Sequence, residues 1–224
     1  MPSGIRATLG LFAVLTFAGA AEAAQPWQDS FETRLAALAL LQSLNADLLS
    51  HDSATLTLDR WCAAHQLASP ARIVAERVHD MDKAPTAEQR ELLRVSSTEP
   101  IRYRRVKLTC GSHVLSEADN WYVPARLTPA MNQVLDTTDT AFGRAVMALD
   151  FRRRTLSAAL LWAPLPTGWE MGAPVSVGAG APLTIPHAVI EHRAVLTLPD
   201  GTPFSTVMET YTGEVLDFPQ PPQR

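Results

Sequence analysis

Residues 101–124 read IRYRRVKLTCGSHVLSEADNWYVP, and this stretch decides the fold. Ile101 to Thr109 is rich in β-branched and aromatic residues and follows Glu99-Pro100, which reads as the opening of a strand. Cys110-Gly111-Ser112 supplies a turn. His113 to Val123 is then a returning strand, and it stops at Pro124, where a ladder donor is lost. An antiparallel hairpin in the middle of the chain implies a sheet, and the flanking sequence is read by asking what pairs with it.

Upstream, the apolar period is two from Ala71 onward. Ile73, Ala75 and Arg77 point one way and Arg72, Val74 and Glu76 the other, so this is a further strand. Between it and the hairpin, Lys83 to Arg90 with Pro85 and Glu88 is expected to be a loop and a short helix. Two helices come earlier. Phe31, Leu35, Leu38, Leu41, Leu44 and Leu48 recur in steps of three and four and trace one face of a helix over Phe31 to Leu49. A second runs from Ala54 or Thr55 to His65, with Asp52 or Ser53 able to accept backbone N–H bonds at its start, and Ser69-Pro70 ends it.

Downstream, Thr128-Pro129 opens a helix reaching Leu135, since proline fits the first helical turn. Ala141 to Met147 is expected to form a short helix and Phe151 to Trp162 a strand. The strand carries Arg152-Arg153-Arg154, whose middle member must face away from its neighbours. Ala163 to Pro186, rich in Pro, Gly and Ala and free of any period, reads as a long loop or lid. Val189 to Leu198 and Thr202 to Val215 flank Pro199-Asp200-Gly201 as a last hairpin. Early helices followed by strands on short turns define an α+β protein. It should have a single antiparallel sheet of about six strands, covered by helices on one face, with the other face or a groove under the lid left for a ligand.

The N-terminus reads as an export signal. Arg6 precedes an apolar run from Leu9 to Ala20, too short for a lasting membrane span, and Ala21-Glu22-Ala23 offers the small-x-small pattern of signal cleavage. Residues 1–23 are therefore expected to be a signal peptide, 24–218 one domain, and 219–224 a disordered tail. No cysteine follows the run, which argues against a lipoprotein. The expected location is periplasmic or secreted, with no stable membrane span once the signal is removed.

Composition narrows the function. Hydrophobic residues make up 46% and charged residues 19%, as in ordinary globular domains, and a net charge of −4 argues against nucleic acid as a general partner. Lysine occurs only as Lys83 and Lys107, so positive charge is almost all arginine, whose planar fork suits carboxylates. Cys62 and Cys110 read as two buried thiols, with one bridge as the alternative that an oxidising compartment permits. Gly-x-Ser-x-Gly, phosphate-loop and His-Glu-x-x-His patterns are lacking, and Ser116-Glu117-Ala118-Asp119-Asn120 has no Ser-x-x-Lys partner. His187 and His192 are an odd number of residues apart, which puts them on opposite sides of a strand. No metal site and no cofactor are expected.

Several segments together resemble chorismate lyase. They are Asp52-Ser53-Ala54-Thr55 before a helix, Tyr103-Arg104-Arg105-Val106-Lys107-Leu108 through Tyr122-Val123-Pro124, Thr140-Ala141-Phe142-Gly143-Arg144, and Gly201-Thr202-Pro203 leading to Glu209. The resemblance covers most of residues 45–216, and the hairpin ending in Tyr-x-Pro also resembles the ligand-sensing domain of GntR-type regulators, which shares that fold. It implies cleavage of chorismate to 4-hydroxybenzoate and pyruvate without metal or organic cofactor, in a pocket under helical flaps. There the product lies between an arginine of an early strand and a glutamate of the last one.

By position Arg77 matches that arginine and Glu209, as the catalytic acid, that glutamate. Glu209 lies one residue further from the hairpin glycine than in the family, so it needs a bulge to reach the right face. Asn120 stands where the family has an arginine. A buried dianion calls for a bidentate guanidinium and departure of an enolpyruvyl group for an acid, so Arg104 or Arg144 is assigned the second carboxylate. The expected ligand is a small aromatic carboxylate. An exported homologue would act on chorismate or a related aromatic enolpyruvyl acid. Alternatively it binds or senses an aromatic acid without turnover, or offers Trp162 and Trp169 as a scaffold surface.

Overall fold

The computed structural model describes residues 26–178 and 180–220. The signal-peptide reading over residues 1–23 lies outside them, as does most of the tail. Eleven main elements follow in order: α1 (Phe31–Ser50), α2 (Ala54–Ala64), β1 (Ile73–Val78), α3 (Ala87–Leu93), β2 (Arg102–Cys110), β3 (His113–Tyr122), α4 (Pro129–Thr137), α5 (Phe142–Ala145), β4 (Arg152–Leu160), β5 (Ala188–Thr197) and β6 (Pro203–Thr212). The six strands form one sheet in the order β1-β2-β3-β6-β5-β4, antiparallel at every pairing. The α+β expectation with a single six-stranded antiparallel sheet is borne out.

Local chemistry starts and stops the elements where sequence places them. Ser30, Ser53, Thr86 and Thr128 each accept a backbone N–H from the first turn of their helices, and Thr86 with Gln89 completes a capping box. Gly201 takes a φ of +82° at the β5–β6 turn, a region that costs other residues strain. The buried face of α1 differs from the predicted one: Thr33, Ala37, Leu41, Leu44 and Leu48 are inside, while Phe31 and Leu35 are exposed. Small side chains at 33 and 37 let the helix lie close to the sheet, and Phe31 instead meets Trp169 at a centroid distance of 5.9 Å.

Helices α1, α2, α4 and α5 pack on one face of the sheet, here the inner face, and α3 packs against β6 on the other. One-sided cover is thus corrected by α3. The inner face holds two separate hydrophobic clusters. The larger joins α1 and α2 to Ile73, Val106, Leu108, Ile190 and Tyr211, and the smaller joins α4 and α5 to Tyr122, Leu196, Phe204 and Val207. Between them runs a band of buried polar side chains.

Cys62 of α2 is disulfide-bonded to Cys110 at the end of β2, both fully buried, which replaces the preferred reading of two thiols. The stretch 163–186 is a long loop as expected, but it does not act as a lid. It is tied to the N-terminal segment by bonds from Asp29 N to Ala181 O, Leu183 N to Trp27 O and Gly178 N to the Asp29 carboxylate. Gln220 donates to Thr33, so the start of the supposed tail is held.

Candidate functional site

Across an antiparallel sheet, directly paired residues share a face. Pairing aligns Arg77, Val106, Ala118, Glu209 and His192 in one row, and Arg104, Asn120, Val207 and Ala194 in the next. All these side chains project inward, under the helices. Glu209 reaches this face through a bulge: Leu196 pairs with Ser205 but Thr197 with Pro203, leaving Phe204 as the extra residue. The bulge that the family comparison called for is present.

The polar band borders a cavity of about 40 Å³. Its floor is Arg104, Val106, Ala118, Asn120, Val207 and Glu209, its roof Asp52, Ala54, Thr55, Phe142, Gly143 and Phe151, and Arg153 closes one side. Gly143 fits closely here: a Cβ would come within 2.8 Å of Ser53 Oγ and 3.1 Å of Thr55 Oγ1, so one of these hydroxyls would have to shift. That space holds about three waters. An aromatic ring enters only if the roof lifts, and the roof is the junction before α2 with its first turn, the single turn of α5 and Phe151.

Glu209 Oε2 accepts from Arg153 Nη2 at 2.5 Å and from the Tyr211 hydroxyl at 3.0 Å. Arg153 is held further by its backbone N–H, which donates to Asp52 Oδ1 at 2.6 Å. Burial works against the Arg153 charge, yet the Glu209 carboxylate outweighs it and the net pKa displacement is upward. Burial and the Glu209 charge drive the Tyr211 phenol well above its ordinary value. His192 is fully buried, with Nε2 2.8 Å from Asn45 Oδ1, and burial lowers its pKa against the opposing pull of the Glu209 charge.

Arg104 differs from Arg153. It is only 5% exposed and forms no ion pair among the described residues. Its Nη2 donates to Thr140 O at 3.1 Å, while Nε and Nη1 are buried without an acceptor. Burial, helped by the nearby Arg77 charge, pushes its pKa down to about 10. Asn120 beside it accepts from Ser205 Oγ at 2.8 Å.

Of the residues expected from sequence, Glu209, Arg104 and Asn120 line the cavity together. Arg77 does not. It shares the row and the face of Glu209, but three strand spacings separate them, about 14 Å, and Val106 and Ala118 lie between. Its guanidinium donates to the carbonyl of Asp136 and lines a separate open cleft of about 370 Å³, which Arg104 also borders. Arg144 is likewise elsewhere, paired with Asp59 at 2.8 Å, and only its neighbour Gly143 enters the wall. Arg153 was missed as a site residue, although its place in the arginine triplet already required it to face away from Arg152 and Arg154. Trp162 packs against the larger cluster and Trp169 against Phe31. Among the described residues no group of three or more His, Cys, Asp or Glu could hold a metal ion, and no helix is long and apolar enough to cross a membrane.

An α+β domain with a polar, arginine-lined cavity under its helices is thus defined, and no family model matches the chain. The chain is 58% identical over 198 residues to the uncharacterized protein y4mC of Sinorhizobium fredii (strain NBRC 101917 / NGR234), covering 88% of this chain and 84% of that one, and it belongs to the same family. Among solved structures, PhnF of Mycobacterium smegmatis aligns at 16% identity over 78% of this chain and 70% of its own, with a TM-score of 0.49. The effector domain of PhnF gives 14%, 73%, 90% and 0.46. The possible transcriptional regulator YydK of Bacillus subtilis gives 15%, 68% and 0.39, this chain spanning 62% of its length. At these identities and scores none of the three transfers a role.

Proposed function

We propose that this chain binds a small aromatic carboxylate in the inner cavity, with Arg104 as the anion receptor. The observation that carries the reading is the unmade hydrogen bonding of Arg104: a buried guanidinium with two nitrogens lacking acceptors is costly unless an anion completes it. Phe142, Phe151, Val207 and Leu196 give the same cavity apolar walls for a ring, and Asn120 adds a neutral polar contact. Arg153 has its charge answered by Glu209 and only its Nε without an acceptor, whereas Arg104 has no counter-charge and two such nitrogens, so Arg153 shapes the site and leaves Arg104 to the ligand.

A second reading, lysis of a chorismate-like acid, is favoured by Glu209 standing in the cavity wall, in keeping with the resemblance to chorismate lyase. Binding fits better. Glu209 is engaged as a carboxylate acceptor by Arg153 and Tyr211, and its resemblance partner Arg77 lines another cleft. We further propose export, on the Leu9–Ala20 run, Ala21-Glu22-Ala23 and the Cys62–Cys110 bridge, a bond that oxidising compartments preserve.

The test is thermal unfolding and calorimetry of the purified chain and of Arg104→Met with 4-hydroxybenzoate. Stabilisation of the parent by the acid, absent in Arg104→Met, is expected. No response to 4-hydroxybenzoate, benzoate or chorismate at millimolar concentration would overturn the binding reading. Pyruvate release from chorismate, abolished by Glu209→Gln, would favour the lyase instead.

A further inference from the structure

The opposite face of the sheet carries a second, larger opening. Row by row, the outer side of the same strands presents Trp121, Thr206 and Val195, then Asp119, Met208 and Arg193. Helix α3 covers only part of this surface, and under its edge lies an open cleft of about 430 Å³, against about 40 Å³ for the more enclosed inner cavity. That volume is in the range of small-molecule sites.

Its walls are mainly apolar. Trp121 is buried, whereas Leu92, Leu156 and Met208 remain half-buried, apolar surface that the fold leaves without a partner. The charged groups at the mouth are already answered. Lys83 is paired with Asp119 at 2.6 Å, and Asp119 also takes Arg105; Arg193 is paired with Glu88 at 3.0 Å. One polar group in the wall is not. The Thr206 hydroxyl is buried without a hydrogen-bond partner, on a residue 4% exposed. A hydroxyl in that state wants a single neutral donor or acceptor, and an indole face beside it favours a ring in offset contact.

From the apolar walls, the neutralised mouth and the lone Thr206 hydroxyl we infer that this outer cleft is a second ligand site, for an uncharged, phenol-like molecule. It is independent of the inner site: the ring lies against Trp121 and between Leu156 and Met208, and its hydroxyl meets Thr206. A carboxylate suits it poorly, because no cation at the mouth is free to receive one.

The experiment is calorimetric titration of 2-naphthol into the full chain and into Arg104→Met, which lacks the inner receptor. Saturable binding of one molecule, equal in the two proteins, is expected, with Thr206→Val weakening it about tenfold, the loss of one buried hydrogen bond. Thr206→Val is nearly isosteric and removes an unsatisfied group, so it folds at least as well as the parent. Met208→Trp fills the cleft and should abolish binding; melting curves establish that this variant is folded. Absence of binding to Arg104→Met at the solubility limit of 2-naphthol, or affinity untouched by Thr206→Val, would overturn the inference.

Discussion

Replacing Arg104 by methionine should make the ligand-free protein more stable, the reverse of what deleting a buried arginine usually does. Its pKa of about 10, against 12.5 for a free guanidinium, corresponds to about 3 kcal/mol acting against the folded state. The sign follows from linkage. The unfolded chain holds this proton more tightly than the native one, so the penalty is complete below pH 10 and fades between pH 10 and 12.5. Methionine keeps most of the side-chain volume and removes the charge. It forfeits the bond from Nη2 to Thr140 O, about 1 kcal/mol. The difference, about 2 kcal/mol, amounts to a rise in melting temperature of about 4–8 °C for a domain of this size. Urea and thermal unfolding at pH 7 without ligand read it directly. A variant less stable than its parent by 1 kcal/mol or more would mean that Arg104 is a structural member of the core, and the argument that it awaits an anion would fall.

Arg153→Met should act oppositely and lose about 3–5 kcal/mol, since it strands the buried Glu209 carboxylate; the urea midpoint measures this, and Glu209→Leu added to it should recover part of the loss. All three tyrosines, Tyr103, Tyr122 and Tyr211, have raised pKa values, Tyr103 to about 12 through burial and the Asp119 charge. Absorbance at 295 nm should therefore stay flat through pH 10 while the chain is folded, and the stability these phenols contribute, complete below pH 10, should be lost as pH rises further. A native tyrosine ionising at pH 10 would contradict the burial argument. Reducing the Cys62–Cys110 bridge, which closes a loop of 48 residues, should cost about 4 kcal/mol by the chain-entropy estimate; unfolding with and without reductant checks it, and the unreduced, unfolded protein should show no free thiol.

Element type and order were legible because they rest on local rules. The hairpin 101–124, the caps at Ser53 and Thr128 and the turn at Pro199-Asp200-Gly201 each declare themselves within a few residues. Orientation across the sheet was less so. Alternation places Arg77 and Glu209 on one face but says nothing about how many strands separate them, and strand order put β2 and β3 in between. Arg144 sits one residue from the cavity wall because α5 turns Gly143 inward, a helical phase that four residues cannot reveal. Arg153 could have been found, since alternation singled it out. What sequence lacked was the knowledge that its inward face meets Glu209 of a strand two places away.

The extra residue at Phe204 separates two things that are otherwise locked together, the geometry of the β5–β6 turn and the side of the sheet on which later residues appear. Removing it would invert the whole remainder of β6. Glu209 and Tyr211 would then be carried to solvent and Met208 and Thr210 inward, so a one-residue deletion at this point exchanges the inventories of the two chambers while leaving the turn itself unchanged. A change of length at 204 is therefore a reversal of the two faces of β6, and not a neutral loop change.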